Sequence, residues 1–504
     1  MKKIPIILLL LIALPIQAQQ TDSVSVRQDS LVHQLTPMQI LQSDLKALID
    51  NPDMSNAIIG VSVRSISTGE QFFKYNDAKS FTPASNQKIL TTAAALMLLG
   101  PDFRFSTSAY LDGDLLHNGE YFGNIIIRGS GDPTMSDYFL NDPLEFVESF
   151  ARKLDSMGVR IIRGNIIGDD SYFSDIYYGP GWSWDDFLFP YAAQSNALSI
   201  NDNTINITIE QGDTTGTPAK IFIEPECSFY RVINRVSTVG IGELSEIVPF
   251  RESNSNIFEL DGQIAYDTSE VNKIELGVTI DNPTLFFLNI LKEALARHNI
   301  RFRGALLDIS DYNEEIDYVA LKPTFEYQSP PLKEIIGIIN KHSHNLGADN
   351  LLRTIAKETS GEGSFRKGSD QLSKFASSAG IPPDKIAVTD GSGLSRFNLF
   401  TPKYMVDLLT MIYKANYRDI FIESLAVPGE EGTLKRRMTH TLAERRVKAK
   451  SGSMNNISTL SGYVTTRDDE VLAFSIMTMN FTVPRTLAHN IEDLICMRLA
   501  SFSR

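Results

Sequence analysis

The pattern of apolar and polar positions divides the chain into helical ends and a β-rich middle. Near the N-terminus it predicts a helix at residues 37–50, a strand at 58–65 and a second strand that ends at Tyr75. A strongly apolar helix follows Pro83, within the stretch SFTPASNQKILTTAAALMLLG. The pattern in this first part of the chain therefore predicts a strand pair followed by a buried helix.

Residues 101–318 show a different pattern, with many short runs of alternating apolar and polar residues that are broken by Gly, Asp, Asn and Pro. Such runs are typical of β-rich modules, and one helix stands out among them, at residues 282–300. Helices return from about residue 330, and the C-terminal part predicts three strands and a final helix, in RVKAKSGS, TLSGYVTT, EVLAFSIMTMN and RTLAHNIEDLICMRLASF. Strands from both ends of the chain can join one antiparallel sheet flanked by helices, which makes the middle an insertion into that domain.

Length and composition predict an exported protein of several domains. The chain has 504 residues, of which 42% are hydrophobic, so it can bury more than one core. Residues 1–18, MKKIPIILLLLIALPIQA, combine a basic start with an apolar run too short to span a bilayer, which is typical of a secretory signal peptide. A retained N-terminal anchor is the alternative. We expect the mature chain to have no integral membrane span and to be secreted across the inner membrane into the periplasm.

The charge and the cysteine and histidine content of the chain limit which partners, disulfide bonds and metal sites we expect. The formal net charge of −14 argues against nucleic acid and anionic lipid as general partners. Cys227 and Cys496 can form one bridge at most, and two buried free thiols are the favoured alternative. With two cysteines, seven histidines and no cluster of ligand spacing, we expect neither a metal site nor a cofactor.

The head of the apolar helix carries a serine and a lysine three residues apart, Ser85 and Lys88. Positions i and i+3 share a helix face, so the lysine amine can reach the serine hydroxyl. Burial among alanines and leucines lowers a lysine pKa, and a neutral Lys88 can then serve as the base for a Ser85 nucleophile. A serine at this place can equally be a helix N-cap. The same spacing occurs at two other places, Ser43/Lys46 and Ser364/Lys367.

Two further motifs carry candidate chemistry. In KHSHNLGADNLLR, Ser343 and Asn345 begin a predicted helix, where a hydroxyl and a carboxamide can relay a proton and hold a substrate amide. His344 reads only as the middle residue of that motif. In RVKAKSGSMNN, the run Lys450-Ser451-Gly452 lies on a strand, where a cation can hold a carboxylate and small residues let a peptide lie along the edge. A solvated lysine before a turn is the alternative for Lys450.

Taken together and in this order, the three motifs resemble the serine/lysine acyl-transfer set of penicillin-binding proteins and serine β-lactamases. The chain is similar over nearly its whole length to the class C low-molecular-mass penicillin-binding proteins, the D-alanyl-D-alanine carboxypeptidase/endopeptidases of peptidase family S13. Other stretches share in the resemblance: GSGDPT (129–134), NALSINDN (196–203), DGSGLSRFNLFTP (390–402) and GEEGTLKRRM (429–438).

The resemblance implies an α+β fold, with a transpeptidase-like domain of the penicillin-binding/β-lactamase type and two mostly β domains inserted between the first two motifs. Ser85 and Ser343 are 258 residues apart, which leaves room for that insertion. The implied boundaries are as follows: signal peptide 1–18, catalytic domain 19–100 and 319–504, inserted domain II 101–204 and 280–318, and inserted domain III 205–279.

The resemblance also assigns catalytic roles to matching positions. Ser85 attacks the carbonyl between two terminal D-alanines, and Lys88 accepts its proton. Ser343 relays a proton toward the leaving group, and Asn345 positions the substrate and Lys88. Water then hydrolyses the acyl-enzyme. The implied substrates are peptidoglycan stem peptides and cross-links, with β-lactam antibiotics as covalent inhibitors.

Substrate binding is implied for the third motif. Lys450 holds the terminal carboxylate, and Ser451, Gly452 and Ser453 line the strand beside it. The backbone N–H groups of Ser85 and Ser453 form the oxyanion hole, in which a donor is typically worth about 3 kcal/mol. The run Asp390-Gly-Ser-Gly-Leu394 reads as a turn near the site without a catalytic role.

Three other functions compete with this interpretation. A β-lactamase would use the same serine, but class A enzymes add a glutamate-bearing loop, and no Glu-x-x-x-Asn occurs in residues 346–400. A catalytically idle wall-binding scaffold would be free to lose motif side chains, whereas all are retained here. A Ser-His-Asp hydrolase is disfavoured because the chain contains no Gly-x-Ser-x-Gly elbow.

Overall fold

The computed structural model describes residues 35–504, so the predicted signal peptide at residues 1–18 lies outside the described residues. The helices in this part are α1 (Pro37–Ile49), α2 (Gln87–Leu99), α3 (Glu145–Ser156), α4 (Pro283–Arg297), α5 (Leu332–His342), α6 (Asn345–Ser360), α7 (Phe365–Ser377), α8 (Pro402–Tyr413), α9 (Arg418–Ser424) and α10 (Arg485–Ala500). Short 3₁₀ turns include Ala84–Asn86, Pro190–Ala192 and Asn201–Asn203.

The strands fall into an N-terminal pair, a long middle series and a C-terminal group of three. The first pair and the middle series are β1 (Ile58–Ser65), β2 (Gln71–Tyr75), β3 (Ser106–Leu115), β4 (Glu120–Arg128), β5 (Ile161–Ile162), β6 (Ile166–Asp169), β7 (Thr204–Glu210), β8 (Lys220–Glu224), β9 (Arg231–Asn234), β10 (Ser237–Val239), β11 (Glu246–Arg251), β12 (Ile257–Ala265), β13 (Lys273–Thr279), β14 (Arg301–Phe302), β15 (Leu306–Asp308) and β16 (Pro323–Gln328). The C-terminal group is β17 (Val447–Met454), β18 (Ile457–Thr465) and β19 (Val471–Met479).

Strands from both ends of the described chain form one five-stranded antiparallel sheet, in the order β17-β18-β19-β1-β2. The N-terminal strand β1 pairs with the last strand β19, with Ile58 opposite Met479. The sheet joins strands from the two ends as predicted, and β1 has the predicted bounds.

The two faces of this sheet bury separate cores because side chains alternate along each strand. In β19, Leu472, Phe474 and Ile476 pack into a cluster that includes the buried faces of α1 and α10. Ala473 and Met477 point the other way, into the core formed with α2 and α5–α9. Helices therefore cover both faces, which confirms the predicted α+β class with an antiparallel sheet flanked by helices.

The segment between α2 and α5, residues 100–331, is called the insertion below. It contains strands β3–β16 in three further sheets, and α3 and α4 share one apolar core with β7, β12 and β13. Strand β16, at Pro323–Gln328, pairs with β3, so this sheet takes in residues beyond 318. The proposed boundaries of domains II and III stay a prediction.

Two smaller expectations concern the membrane and the thiols. No helix within residues 35–504 is long and apolar enough to cross a membrane. Cys227 and Cys496 are both free thiols. Cys496 is buried, as expected, but Cys227 is only partly buried, because it lies just beyond the exposed edge strand β8.

Candidate active site

Ser85 lies in the 3₁₀ turn Ala84–Asn86, directly before the first residue of α2. The N-cap of α2 is Asn86, without a side-chain cap bond, so the alternative reading of Ser85 as the helix cap is wrong. Two bonds fasten the turn to β18: Thr459 Oγ1 donates to the Pro83 carbonyl at 2.9 Å, and Asn86 Nδ2 donates to Ser461 Oγ at 2.7 Å. The central sheet therefore sets the position of Ser85.

Lys88, one turn further along, is completely buried. Its Nζ atom donates to Ser85 Oγ at 3.0 Å, to Asn345 Oδ1 at 2.6 Å and to the Ser392 carbonyl at 2.7 Å. Three acceptors match the three protons of an ammonium group. The contact with Asn345 brings the first two sequence motifs together.

The partners of Lys88 also dictate how a neutral amine would be oriented. The Ser392 carbonyl can only accept, and Asn345 presents Oδ1 because its Nδ2 donates to the Tyr191 carbonyl at 2.7 Å. A neutral amine has two protons and one lone pair. Both protons are held by these two acceptors, so the lone pair faces the Ser85 hydroxyl, the one partner that can donate.

Burial makes that neutral form of Lys88 more accessible than it is in a solvated lysine. Burial lowers the pKa of Lys88 from 10.5 to about 8, against the opposing pull of the nearby Asp349 and Asp390 carboxylates. Burial, and then the proximity of Asp390, raises the pKa of Asp349 to about 7. The amine can therefore exchange a proton near neutral pH, as the sequence predicted from its apolar surroundings.

The loop of residues 390–394, read from the sequence only as a turn, supports Lys88 directly. Asp349 Oδ1 accepts the N–H groups of Gly391 at 2.8 Å and Ser392 at 3.0 Å, which places the Ser392 carbonyl against Lys88. Gly393 has a φ of +85°, and a Cβ there would stand 1.9 Å from the Ala84 carbonyl oxygen. Only glycine lets this loop approach the Ser85 turn so closely.

Lys450 is also completely buried, which excludes the alternative of a solvated lysine. Its Nζ atom donates to Ser343 Oγ at 3.0 Å and to the Ser451 carbonyl at 2.8 Å. Burial, together with the charge of Lys88, holds the pKa of Lys450 well below 10.5. The second and third motifs are therefore in contact, and Lys450 is a buried amine that a carboxylate would stabilise as a cation.

Strand β17 runs directly past the Ser85 turn. A Cβ at Gly452 would lie 2.8 Å from the Ser85 backbone nitrogen and 2.4 Å from Thr459 Oγ1. Beside it, Ser451 Oγ donates to Thr433 Oγ1 at 2.8 Å. Thr433 belongs to none of the three motifs, although it lies within the family-like stretch GEEGTLKRRM.

Six of the eight predicted site residues line one cleft of about 510 Å³: Ser85, Ser343, Asn345, Ser451, Gly452 and Ser453. Lys88 and Lys450 lie buried beneath it and contact its lining residues. Charged residues outside the three motifs also line the cleft: Asp185 and Asp186 from the insertion, Arg396, and Arg485 at the start of α10.

The other occurrences of the motif spacings have structural explanations. Ser364 is the N-cap of α7, and its hydroxyl accepts the Lys367 N–H at 3.3 Å. Ser43 and Lys46 lie within α1, where Lys46 pairs with Asp50. Within residues 35–504, no group of three or more His, Cys, Asp or Glu side chains is arranged to hold a metal ion.

His344, interpreted from the sequence only as the middle residue of the second motif, makes a specific contact through each of its ring nitrogens. Its ring is buried and is the N-cap of α6, where Nδ1 accepts the Gly347 N–H at 3.1 Å. The opposite ring nitrogen, Nε2, lies 2.9 Å from Oδ1 of Asp202 in the insertion.

Comparison with known proteins identifies the family of the chain. The profile of the D-Ala-D-Ala carboxypeptidase 3 (S13) family matches residues 41–501. A D-alanyl-D-alanine carboxypeptidase from Actinomadura sp. (strain R39) is 30% identical over 473 residues, which cover 92% of this chain and 85% of that protein.

Solved structures share the fold. The crystal structure of penicillin binding protein 4 (DacB) from Haemophilus influenzae has a TM-score of 0.78 at 24% identity, over 91% of this chain and 99% of that one. The same protein complexed with a β-lactam has a TM-score of 0.72 at 24% identity, over 90% and 98% of the two chains. The chain belongs to the D-Ala-D-Ala carboxypeptidase 3 (S13) family, and so to the class C low-molecular-mass penicillin-binding proteins.

Proposed function

We propose that this chain, a serine-type D-Ala-D-Ala carboxypeptidase, works through a covalent acyl-enzyme on Ser85. One observation carries the proposal: two of the three acceptors around Lys88 Nζ cannot donate, so a neutral amine turns its lone pair toward Ser85 Oγ. A lowered lysine pKa supplies that neutral amine near neutral pH.

In the acylation step, Ser85 Oγ forms a bond to the carbonyl carbon of the penultimate D-alanine while its proton moves to Lys88 Nζ. The carbonyl oxygen becomes an oxyanion, for which the N–H groups of Ser85 and Ser453 are the proposed donors. The close approach of Gly452 to the Ser85 nitrogen supports this assignment, because it brings β17 beside the turn that carries the nucleophile. Donors of this kind typically contribute about 3 kcal/mol each.

Collapse of the tetrahedral intermediate breaks the C–N bond, and the leaving D-alanine nitrogen needs a proton. The proton held on Lys88 reaches it through the Ser343 hydroxyl. The Lys450 donor at 3.0 Å occupies a lone pair of Ser343 Oγ, which leaves its proton free to point toward the substrate. Water then attacks the Ser85 ester, gives its proton to the neutral Lys88, and Ser85 Oγ recovers a proton as the ester bond breaks.

Lys450 is the proposed binding site for the terminal carboxylate, with Ser451, Gly452 and Ser453 along the same strand. A carboxylate beside this buried amine compensates for its lost hydration and favours the protonated form. The three strand residues line the cleft, and Lys450 contacts Ser343 from beneath it. Productive binding therefore couples carboxylate recognition to the charge of Lys450.

The proposed substrates are peptidoglycan stem peptides, for carboxypeptidase activity, and peptide cross-links, for endopeptidase activity. Both present an amide on the carbonyl of a D-alanine. A β-lactam presents a strained amide and a carboxylate at similar spacing, so it should acylate Ser85 and remain attached. We place this reaction in the periplasm, in line with the signal-like residues 1–18.

The test is mass spectrometry of the protein after incubation with benzylpenicillin. We expect one adduct, mapped to Ser85, and none in Ser85→Ala. In parallel, a peptide that ends in D-Ala-D-Ala should release D-alanine only with the parent chain. An adduct on another residue, or D-alanine release by Ser85→Ala, would overturn the assignment.

A further inference from the structure

The second motif is held from the side opposite the cleft. Ser343 and Asn345 line the cleft, whereas the His344 ring between them is buried against the insertion. This alternation means that any group fixing His344 also fixes the residues on both sides of it. The partner of His344 in the insertion is Asp202.

The ring of His344 is oriented by a bond at each nitrogen. Nδ1 accepts the Gly347 N–H, so it carries no proton, and the proton of the neutral ring lies on Nε2. Nε2–H then donates to Asp202 Oδ1 at 2.9 Å. Gly347 is required here, because a Cβ at that position would lie 2.7 Å from Nδ1.

Asp202 is itself held in place. Its other carboxylate oxygen accepts the Ser136 hydroxyl at 2.7 Å. Asp202 and both its neighbours have φ values of 50–55°. The Asn201 N–H donates to the Met135 carbonyl at 2.7 Å, and the Asn203 side chain donates from Nδ2 to the Gln194 carbonyl at 2.9 Å. A left-handed run of three residues is costly unless such bonds hold it, so the loop is built to present Asp202.

The aromatic side chains of the insertion enclose the pair. Tyr138 and Phe139 pack against the His344 ring with centroid distances of 5.3 and 6.1 Å. Nearby, the Tyr191 carbonyl accepts Asn345 Nδ2 and so sets which amide atom faces Lys88. The insertion therefore holds His344 and Asn345 at two separate points.

We propose that His344 and Asp202 form a positioning pair, through which the insertion holds Ser343 and Asn345 in register with Lys88 and Lys450. The pair touches no reacting atom and acts through the backbone of the second motif. The inference rests on the proposed function for its catalytic readout only, since the geometry of Asn345 can be measured without catalysis.

The primary variant is Asp202→Ala, measured as the rate of Ser85 acylation at saturating benzylpenicillin and as the half-saturating concentration. We expect the limiting rate to fall about tenfold, with a smaller change in the half-saturating concentration, because Asn345 and Ser343 act in the chemical step. Asp202→Asn should restore most of the rate, since an amide oxygen can accept from Nε2–H and its amide nitrogen can donate to Ser136. His344→Asn keeps a good helix cap, but its shorter side chain cannot reach Asp202. We expect it to lower the limiting acylation rate as much as Asp202→Ala does.

A matched control exists elsewhere in the insertion, where His298 Nε2 lies 3.1 Å from Glu148 Oε2. His298→Asn removes the same kind of contact far from the cleft and should leave the acylation rate unchanged. The double variant His344→Asn with Asp202→Ala should be no slower than either single variant, because each removes the same interaction. The proposal would be overturned if Asp202→Ala were acylated at the parent rate. It would also be overturned if the double variant were slower than both single variants, with the two losses in rate adding up.

A crystal structure of Asp202→Ala separates this proposal from the proposed function. We expect the distance from Lys88 Nζ to Asn345 Oδ1 to lengthen beyond 2.6 Å, the value in the parent chain. An unmoved Asn345 would refute the positioning pair even if acylation were slow. If the parent chain formed no adduct at Ser85, the proposed function would be refuted. The distance from Lys88 Nζ to Asn345 Oδ1 in Asp202→Ala would still test the positioning pair.

Discussion

Gly452 of β17 lies against the backbone nitrogen of Ser85, so closely that a Cβ at position 452 would stand 2.8 Å from it. The same Cβ would meet Thr459 Oγ1 at 2.4 Å, so neither the turn nor the neighbouring strand can make room without moving. The separation of β17 from the Ser85 turn is therefore set by the absence of one side-chain carbon.

Gly452→Ala should slow acylation of Ser85 by penicillin about 100-fold or more, because it pushes β17, which carries Ser453, away from the Ser85 turn and so separates the two proposed oxyanion donors. The control is Gly337→Ala in α5, where an added Cβ meets nothing within 4 Å and alanine favours the helix. Stopped-flow acylation rates test both. An acylation rate of Gly452→Ala within a few-fold of the parent rate would contradict the predicted steric clash.

The acylation rate should depend on pH through Lys88. A pKa of about 8 means that roughly a tenth of the amine is neutral at pH 7, so the rate should rise about tenfold per pH unit below pH 8 and then level off. A rate that is flat between about pH 6 and pH 9 would show that Lys88 is not the base.

Asp349→Asn should move the rising limb of that profile to lower pH. The Asp349 carboxylate raises the pKa of Lys88, so its removal lowers that pKa further. The acylation rate at about pH 7.5, where Asp349 with its pKa of about 7 is mostly ionised in the parent, should increase about twofold. The substitution keeps the oxygen that holds Gly391 and Ser392, and within residues 35–504 the other oxygen has no hydrogen-bond partner.

Asp349→Ala provides the contrast, because it leaves the two loop N–H groups without their acceptor. We expect it to lower the free energy of unfolding by about 2–3 kcal/mol and to slow acylation, as the Ser392 carbonyl loses its support. Denaturant unfolding and the pH–rate profile separate the two variants. Equal profiles for Asp349→Asn and the parent would contradict the assigned electrostatic effect.

Arg437 should be a major source of stability outside the cleft. Its guanidinium donates to Glu492 Oε2 at 2.8 Å and to Asp493 Oδ1 at 2.7 Å, and Glu492 is completely buried. Arg437→Ala leaves a buried carboxylate without its cation and should lower the free energy of unfolding by about 3–5 kcal/mol.

Arg152→Ala is the matched control, because the Arg152–Glu145 pair is about half exposed on both sides. Such pairs contribute about 0–1 kcal/mol, so its unfolding curve should nearly coincide with that of the parent. Chemical denaturation at neutral pH distinguishes the two variants. A loss below about 1 kcal/mol for Arg437→Ala would show that the buried carboxylates find another partner or a proton.

Local patterns were enough to predict the elements that carry the motifs. Alternation predicted β1 with its observed bounds, and the apolar run after Pro83 predicted the helix that buries Lys88. The order of three short motifs then predicted a common cleft, which six of the eight named residues line. These features depend on neighbours in the chain or on side-chain identity, both of which a sequence displays.

The supporting groups were missed because they act through long-range contacts or through the backbone. The Ser392 carbonyl reaches Lys88 across 304 residues, and a backbone oxygen has no signature in the sequence. Asp349 and Asp202 are single carboxylates whose partners become neighbours only in the fold. Thr433 and the 390–394 loop lay within the family-like stretches, which was the available signal for them.

The attachment of the Ser85 turn to β18 has a consequence for the order in which the catalytic domain can assemble. The turn that carries Ser85 is fastened to β18, so a nascent chain that ends before Ile457 has neither Thr459 nor Ser461 to hold that turn. The insertion, by contrast, is complete by residue 331, well before β18 in the sequence. The turn that carries the nucleophile therefore gains its two bonds to the central sheet only once the C-terminal strands are present.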